Sequence, residues 1–165
     1  KCNPAIMSAE QKEALWKAVL DDRLDIIATD HAPHTWEEKQ KPFLEAPAGL
    51  PLVQHSLLML LDAYREGRIS LEKIVEKACH APAVCFQVAE RGYIREGYFA
   101  DAVLVNLNGQ TTVSKDNILY QCGWSPLEGH TFSSSIDATF VNGEMIFSLG
   151  QQVSDMKGMR MRFER

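Results

Sequence analysis

Apolar positions follow helical spacing in the first half of the chain and fall into short runs in the second. Ser8 and Gln11 make a capping box, and Leu15, Trp16, Val19 and Leu20 then share one face. That spacing predicts a helix ending near Asp21-Asp22. Residues 26–29 are too few for a helix and apolar on both faces, as a strand within a parallel sheet is. Residues 35–47 are charged and contain Pro42 and Pro47, so they read as a surface loop. Residues 50–64 predict a buried helix that stops before Gly67. Ser70 opens another, with Ile74, Val75 and Ala78 inward, and Pro82 suits the first turn of a third, reaching Val88.

The pattern changes at Gly92. Val103-Leu104-Val105, Asn108-Gly109 and Thr111-Thr112-Val113 read as one hairpin. Thr139-Phe140-Val141, Asn142-Gly143 and Met145-Ile146-Phe147 read as a second. Asn-Gly tolerates the positive φ that a tight primed turn demands. The expected division is α/β over residues 1–90 and mostly β over 91–165, with no internal repeat.

The chemistry concentrates where the short apolar run stops at Asp30, with His31 and His34 following and Pro33 stiffening the loop between them. In α/β barrels, reactive groups sit where strands end. A carboxylate there ligates a metal, accepts a proton, or does both, although a structural acid capping the next turn fits the same position. Neither histidine lies on an apolar face where a core imidazole is expected. Asn3 lies one helix and one strand upstream, where a preceding barrel strand would end, but reads equally as a turn residue. Ala48-Gly49 precedes the buried helix. Gly49 would let backbone amides approach a ligand closely, although a plain loop glycine fits too.

Composition narrows the classes. The 165 residues suffice for one ordinary core or two small pieces. A formal charge of −5 argues against a broad nucleic-acid footprint. The basic cluster Lys157, Arg160, Arg162 and Arg165 reads as a solvated terminus. The longest apolar stretch, residues 57–61, is interrupted by Asp62, so no membrane span is expected. Cys2, Cys79, Cys85 and Cys122 form no CxxC pair, and the Cys79, His80 and Cys85 spacing fits no common zinc pattern. Free thiols and the lack of a signal peptide lead to an expected cytoplasmic location. Because the chain starts at Lys1 in what reads as mid-domain sequence, a piece of a longer protein is expected.

Several motifs together resemble dihydroorotase of the class I, bacterial type, in the amidohydrolase superfamily. They are Asn3-Pro4-Ala5-Ile6, Ile27-Ala28-Thr29-Asp30-His31-Ala32-Pro33-His34 and Ala46-Pro47-Ala48-Gly49-Leu50. Gly92 to Asp101, Trp124-Ser125-Pro126-Leu127-Glu128-Gly129 and Val141-Asn142-Gly143 extend the likeness across nearly the whole chain. The resemblance implies the C-terminal part of a metal-dependent (β/α)8 TIM barrel plus part of a small composite β-sandwich. It implies reversible interconversion of N-carbamoyl-L-aspartate and dihydroorotate in pyrimidine biosynthesis, with this piece inactive by itself. Asp30 matches the aspartate that binds the more buried zinc and shuttles the proton. His34, Asn3 and the Ala48-Gly49 backbone match substrate contacts. His31 matches no zinc ligand and is expected to make a structural hydrogen bond. The other ligands of a binuclear zinc centre are expected upstream. The expected partners are the small-molecule substrate and either a second copy or the upstream part of the protein. Met7, His80 and Ala48 depart from common family residues.

Two further readings stay open. One is a hydantoinase- or allantoinase-type cyclic amidase, against which the second histidine weighs. The other is a non-catalytic dihydroorotase-like subunit that scaffolds a transcarbamoylase. Lacking barrel neighbours, the chain is also expected to expose apolar surface.

Overall fold

The computed structural model describes residues 1–5 and 8–164. The family departure at Met7, the Ile6 match and the last arginine of the basic tail, Arg165, therefore lie outside the described residues.

Helix α1 (Ala9–Leu20) opens on the expected capping box and closes at Asp21. Its buried face is narrower than the spacing predicts. Val19 is buried and Trp16 packs partly against the core, but Leu15 and Leu20 are exposed. The strand predicted at residues 26–29 is not a ladder strand. A strand needs a neighbour, and here the pairing reduces to a parallel bridge between His31 and Leu50. The Ile27 N–H donates instead to the Lys77 carbonyl at 3.1 Å.

The predicted loop at 35–47 contains a short helix, α2 (Trp36–Lys39). Thr35 and Glu38 cap it reciprocally, which stabilises a turn that carries no apolar periodicity. The helix predicted over 50–64 starts later. A 3₁₀ turn, Val53–His55, leads into α3 (Ser56–Arg65), because Pro51 and the preceding residue favour extended backbone.

The next two predicted helices are one continuous run. Helix α4 (Leu71–Val75) passes through a π-helical turn, Glu76–His80, into α5 (Ala81–Cys85). The widened turn lies just before Pro82, whose ring would meet the carbonyl four residues back in a regular helix. Ile74 is inward as expected, whereas Val75 and Ala78 face solvent. The π turn also aims Lys77 inward. Only 2% exposed, its ammonium donates to the Leu24 carbonyl and to Asp22, both at 2.8 Å.

Among the described residues six strands follow: β1 (Ala102–Asn106), β2 (Thr111–Thr112), β3 (Thr131–Phe132), β4 (Ser135–Val141), β5 (Glu144–Ser148) and β6 (Gln151–Gln152). One sheet has the order β1-β4-β5-β6 and the other is β2-β3. The Asn142-Gly143 hairpin joins β4 and β5, with φ of +52° and +85° at its two turn residues. The Asn108-Gly109 hairpin does not form, because β1 pairs with β4 and β2 with β3. Gly109 serves close packing instead: a Cβ there would lie 2.2 Å from the Ser135 Oγ.

The core draws on both halves of the chain. Val19, Leu58, Leu61, Ile69 and Ile74 pack in one cluster with Val113 and Phe132. Burying each large side chain contributes roughly 1.5–3 kcal/mol. Asp62 on α3 fastens the junction, accepting from both the backbone N–H and the hydroxyl of Ser133. Exposed apolar side chains include Leu24, Phe43, Leu44 and Val84. Among the described residues, no helix is long and apolar enough to cross a membrane.

Candidate active site

Three segments distant in sequence meet beside the turn that carries Asp30 and His34. The Ala32 N–H donates to the Leu50 carbonyl at 3.0 Å, and the Gly49 N–H donates to the Lys1 carbonyl at 3.0 Å. Gly49 is buried with φ of +119°, and a Cβ there would sit 2.3 Å from the Ala32 Cβ. Only glycine fits this approach. The structure therefore links the Ala48-Gly49 backbone, the turn at 30–34 and the stretch leading from Lys1 to Asn3.

Asp30 is exposed and occupies left-handed backbone, φ +46°. Asp tolerates this region better than most residues. Among the described residues, none hydrogen-bonds its carboxylate. The turn that carries it is held by the Ala32 and His34 N–H groups and by the His31 ring.

His31 makes the structural hydrogen bond expected of it. Its Nδ1 accepts the N–H groups of Leu52 at 3.1 Å and Val53 at 3.3 Å. These are orphan donors at the start of the helical turn that leads into α3. Accepting them leaves Nδ1 without a proton and places the ring proton on Nε2. The ring lies 5.2 Å from Tyr120.

His34 is fixed by its backbone. Its N–H donates to Ala32 at 3.0 Å and its carbonyl accepts the Trp124 indole N–H at 2.8 Å. Its imidazole stays about one-third exposed, with Nδ1 3.8 Å from the Glu38 carboxylate. Asn3 is exposed and Ala48 is half-buried. Of the two amides at 48 and 49, that of Gly49 is already engaged. The Ala48 N–H has no acceptor among the described residues.

Three contributors escape sequence reasoning. Lys39, inside the charged stretch, donates to the carbonyls of Lys1, Pro47 and Gly49. Trp124 grips the His34 carbonyl from 90 residues away and meets Trp36 edge-on. Tyr120 accepts the Gln54 N–H at 2.9 Å and lies against buried His55, which stacks on Phe132. Burial pushes the His55 imidazole below its ordinary range and the Tyr120 phenol above it.

The donor set does not by itself hold a metal. Among the described residues, no three His, Cys, Asp or Glu side chains converge. A zinc ion takes about four ligands, and Asp30 offers one carboxylate. What the turn carries is an acid without a hydrogen-bond partner among the described residues and, four positions on, a partly exposed imidazole.

The chain matches the amidohydrolase family over residues 4–146. It is 35% identical to a dihydroorotase of Halobacterium salinarum, over 98% of this chain and 38% of that protein. It is 34% identical to a dihydroorotase of Pyrococcus furiosus, over 98% of this chain and 37% of that one. Among solved structures it superposes on the L-hydantoinase (dihydropyrimidinase) of Arthrobacter aurescens with a TM-score of 0.87 and 28% identity. That likeness covers 93% of this chain and 35% of the hydantoinase. The chain thus spans less than two-fifths of the length of these relatives.

Proposed function

Because the chain belongs to the amidohydrolase family, we propose that it carries the proton-transferring corner of a cyclic-amide hydrolase. The whole protein, on this reading, is a dihydroorotase that interconverts dihydroorotate and N-carbamoyl-L-aspartate in the cytoplasm. The observation that supports it is the Asp30 carboxylate, without a hydrogen-bond partner among the described residues, on left-handed backbone in a turn that Leu50 hydrogen-bonds and Gly49 packs against. Hydrolysis of a cyclic amide adds water to the carbonyl and breaks the ring C–N bond. The water must lose a proton and the departing nitrogen must gain one. Asp30 takes the first proton and returns it to the nitrogen, so the carboxylate ends as it began. His34 and the Ala48 N–H donate hydrogen bonds to the substrate carboxylate or ring oxygens, and Asn3 assists. A zinc pair held mainly by upstream residues would lower the pKa of the attacking water and polarise the carbonyl.

A hydantoinase-type cyclic amidase is the second reading. The hydantoinase superposition supports it, while the dihydroorotase relatives support the first. The full-length protein, assayed on dihydroorotate and on hydantoin, decides between them. Turnover of dihydroorotate with little on hydantoin is expected, and the reverse preference would replace dihydroorotase with the second reading.

A further inference from the structure

We propose that Lys39 is a positioning residue that fixes and polarises the substrate-facing backbone at Ala48, an inference that rests on the proposed role of that amide. An ammonium has three donors. Those of Lys39 reach the carbonyls of Gly49 at 2.8 Å, Pro47 at 2.9 Å and Lys1 at 3.3 Å. Every partner is a backbone oxygen. No carboxylate pairs with this lysine among the described residues.

The choice of carbonyls carries the inference. The Pro47 carbonyl belongs to the same peptide unit as the Ala48 N–H. A cation on the oxygen side of a peptide draws electron density from the nitrogen and makes its N–H a better donor. The Gly49 and Lys1 carbonyls flank the same stretch, and the Gly49 N–H closes the loop onto Lys1. Lys39 therefore holds both sides of Ala48 and strengthens the one of the two amides at 48 and 49 that has no acceptor among the described residues. Helix α2 positions the lysine, and its capping box ties that helix to the residue after His34. Arginine would keep the charge but carries a planar fork that fits three converging carbonyls less well.

The test uses the full-length protein with Lys39→Met, Lys39→Arg and Lys39→Gln. Lys39→Met is expected to raise KM for dihydroorotate about tenfold, equal to one lost contact of about 1.4 kcal/mol, with kcat changed less than about threefold. Lys39→Arg is expected to recover part of that loss. Hydrogen exchange at residues 46–50 is expected to accelerate in Lys39→Met while the helices keep their protection. An unchanged KM together with unchanged exchange at 46–50 would overturn the assignment. If Lys39→Met fails to fold, the same two measurements are made on Lys39→Gln, with the same results expected and the same results overturning the assignment. If the wild-type protein turns over neither dihydroorotate nor hydantoin, the functional reading fails. The exchange result then still judges Lys39, and unchanged protection overturns it.

Discussion

The indole N–H of Trp124 donates to the carbonyl of His34 at 2.8 Å, joining a loop of the strand-rich half to the turn that carries the candidate site. The bond fixes the His34 backbone and does not engage its imidazole. Trp124→Phe would keep an aromatic edge against Trp36 and lose the donor. Such a loss costs about 1 kcal/mol. The expected outcome in the full-length protein is a severalfold rise in KM for dihydroorotate with kcat nearly unchanged. An equal fall in kcat would place Trp124 in the chemical step instead.

His34→Ala should act on binding as well, and more strongly. On the proposed role of His34, removing the imidazole takes away a substrate donor but no proton carrier. A KM raised at least about tenfold is expected, since one charge-assisted hydrogen bond is worth about 1.5–3 kcal/mol. Steady-state kinetics that leave both KM and kcat untouched would remove His34 from the site.

Gly49→Ala tests the backbone approach. The added Cβ would lie 2.3 Å from the Ala32 Cβ, on backbone with φ of +119°. Neither atom is at the end of a flexible side chain, so the turn must move. The expected cost is about 2–3 kcal/mol, seen as a lower Tm, with a loss of activity beyond what the stability change explains. A variant with wild-type Tm and activity would contradict so close an approach.

His55 sets a pH dependence of stability. It is buried, and burial lowers its pKa below the usual imidazole value near 6.5. The unfolded chain therefore binds this proton more readily than the folded one. The stability it protects is fully present above about pH 6.5 and is lost as pH falls from there towards the folded pKa. His55→Phe keeps a ring against Phe132 and removes the titration. Thermal melts between about pH 7 and 5 should show a shallower fall in Tm for the variant. Parallel curves for the two proteins would contradict this role.

Local signals were legible in the sequence where they act over a few residues. The Ser8 and Gln11 capping box and the Asn142-Gly143 hairpin are present as read. The Asn108-Gly109 pair misleads because Gly109 is needed for its missing side chain against Ser135, a contact that no local pattern encodes. Helix α2 was hidden because four capped residues carry no apolar period. Residues 26–29 look like a strand by composition, but strand pairing depends on a neighbour, and the parallel pairing there is the bridge at His31. The acid and imidazoles of the candidate site could be named from the sequence. Lys39 and Trp124 could not, since their roles consist of bonds to carbonyls 8 to 90 residues away.

The most direct measurement is the rate of dihydroorotate hydrolysis by the full-length protein carrying Asp30→Asn. Asparagine tolerates the left-handed backbone at this position, so the fold and Tm should be kept. It cannot take up and return a proton, so kcat should fall by about 10²–10⁴-fold. A folded Asp30→Asn protein with near wild-type kcat would contradict the assignment of Asp30 as the proton carrier.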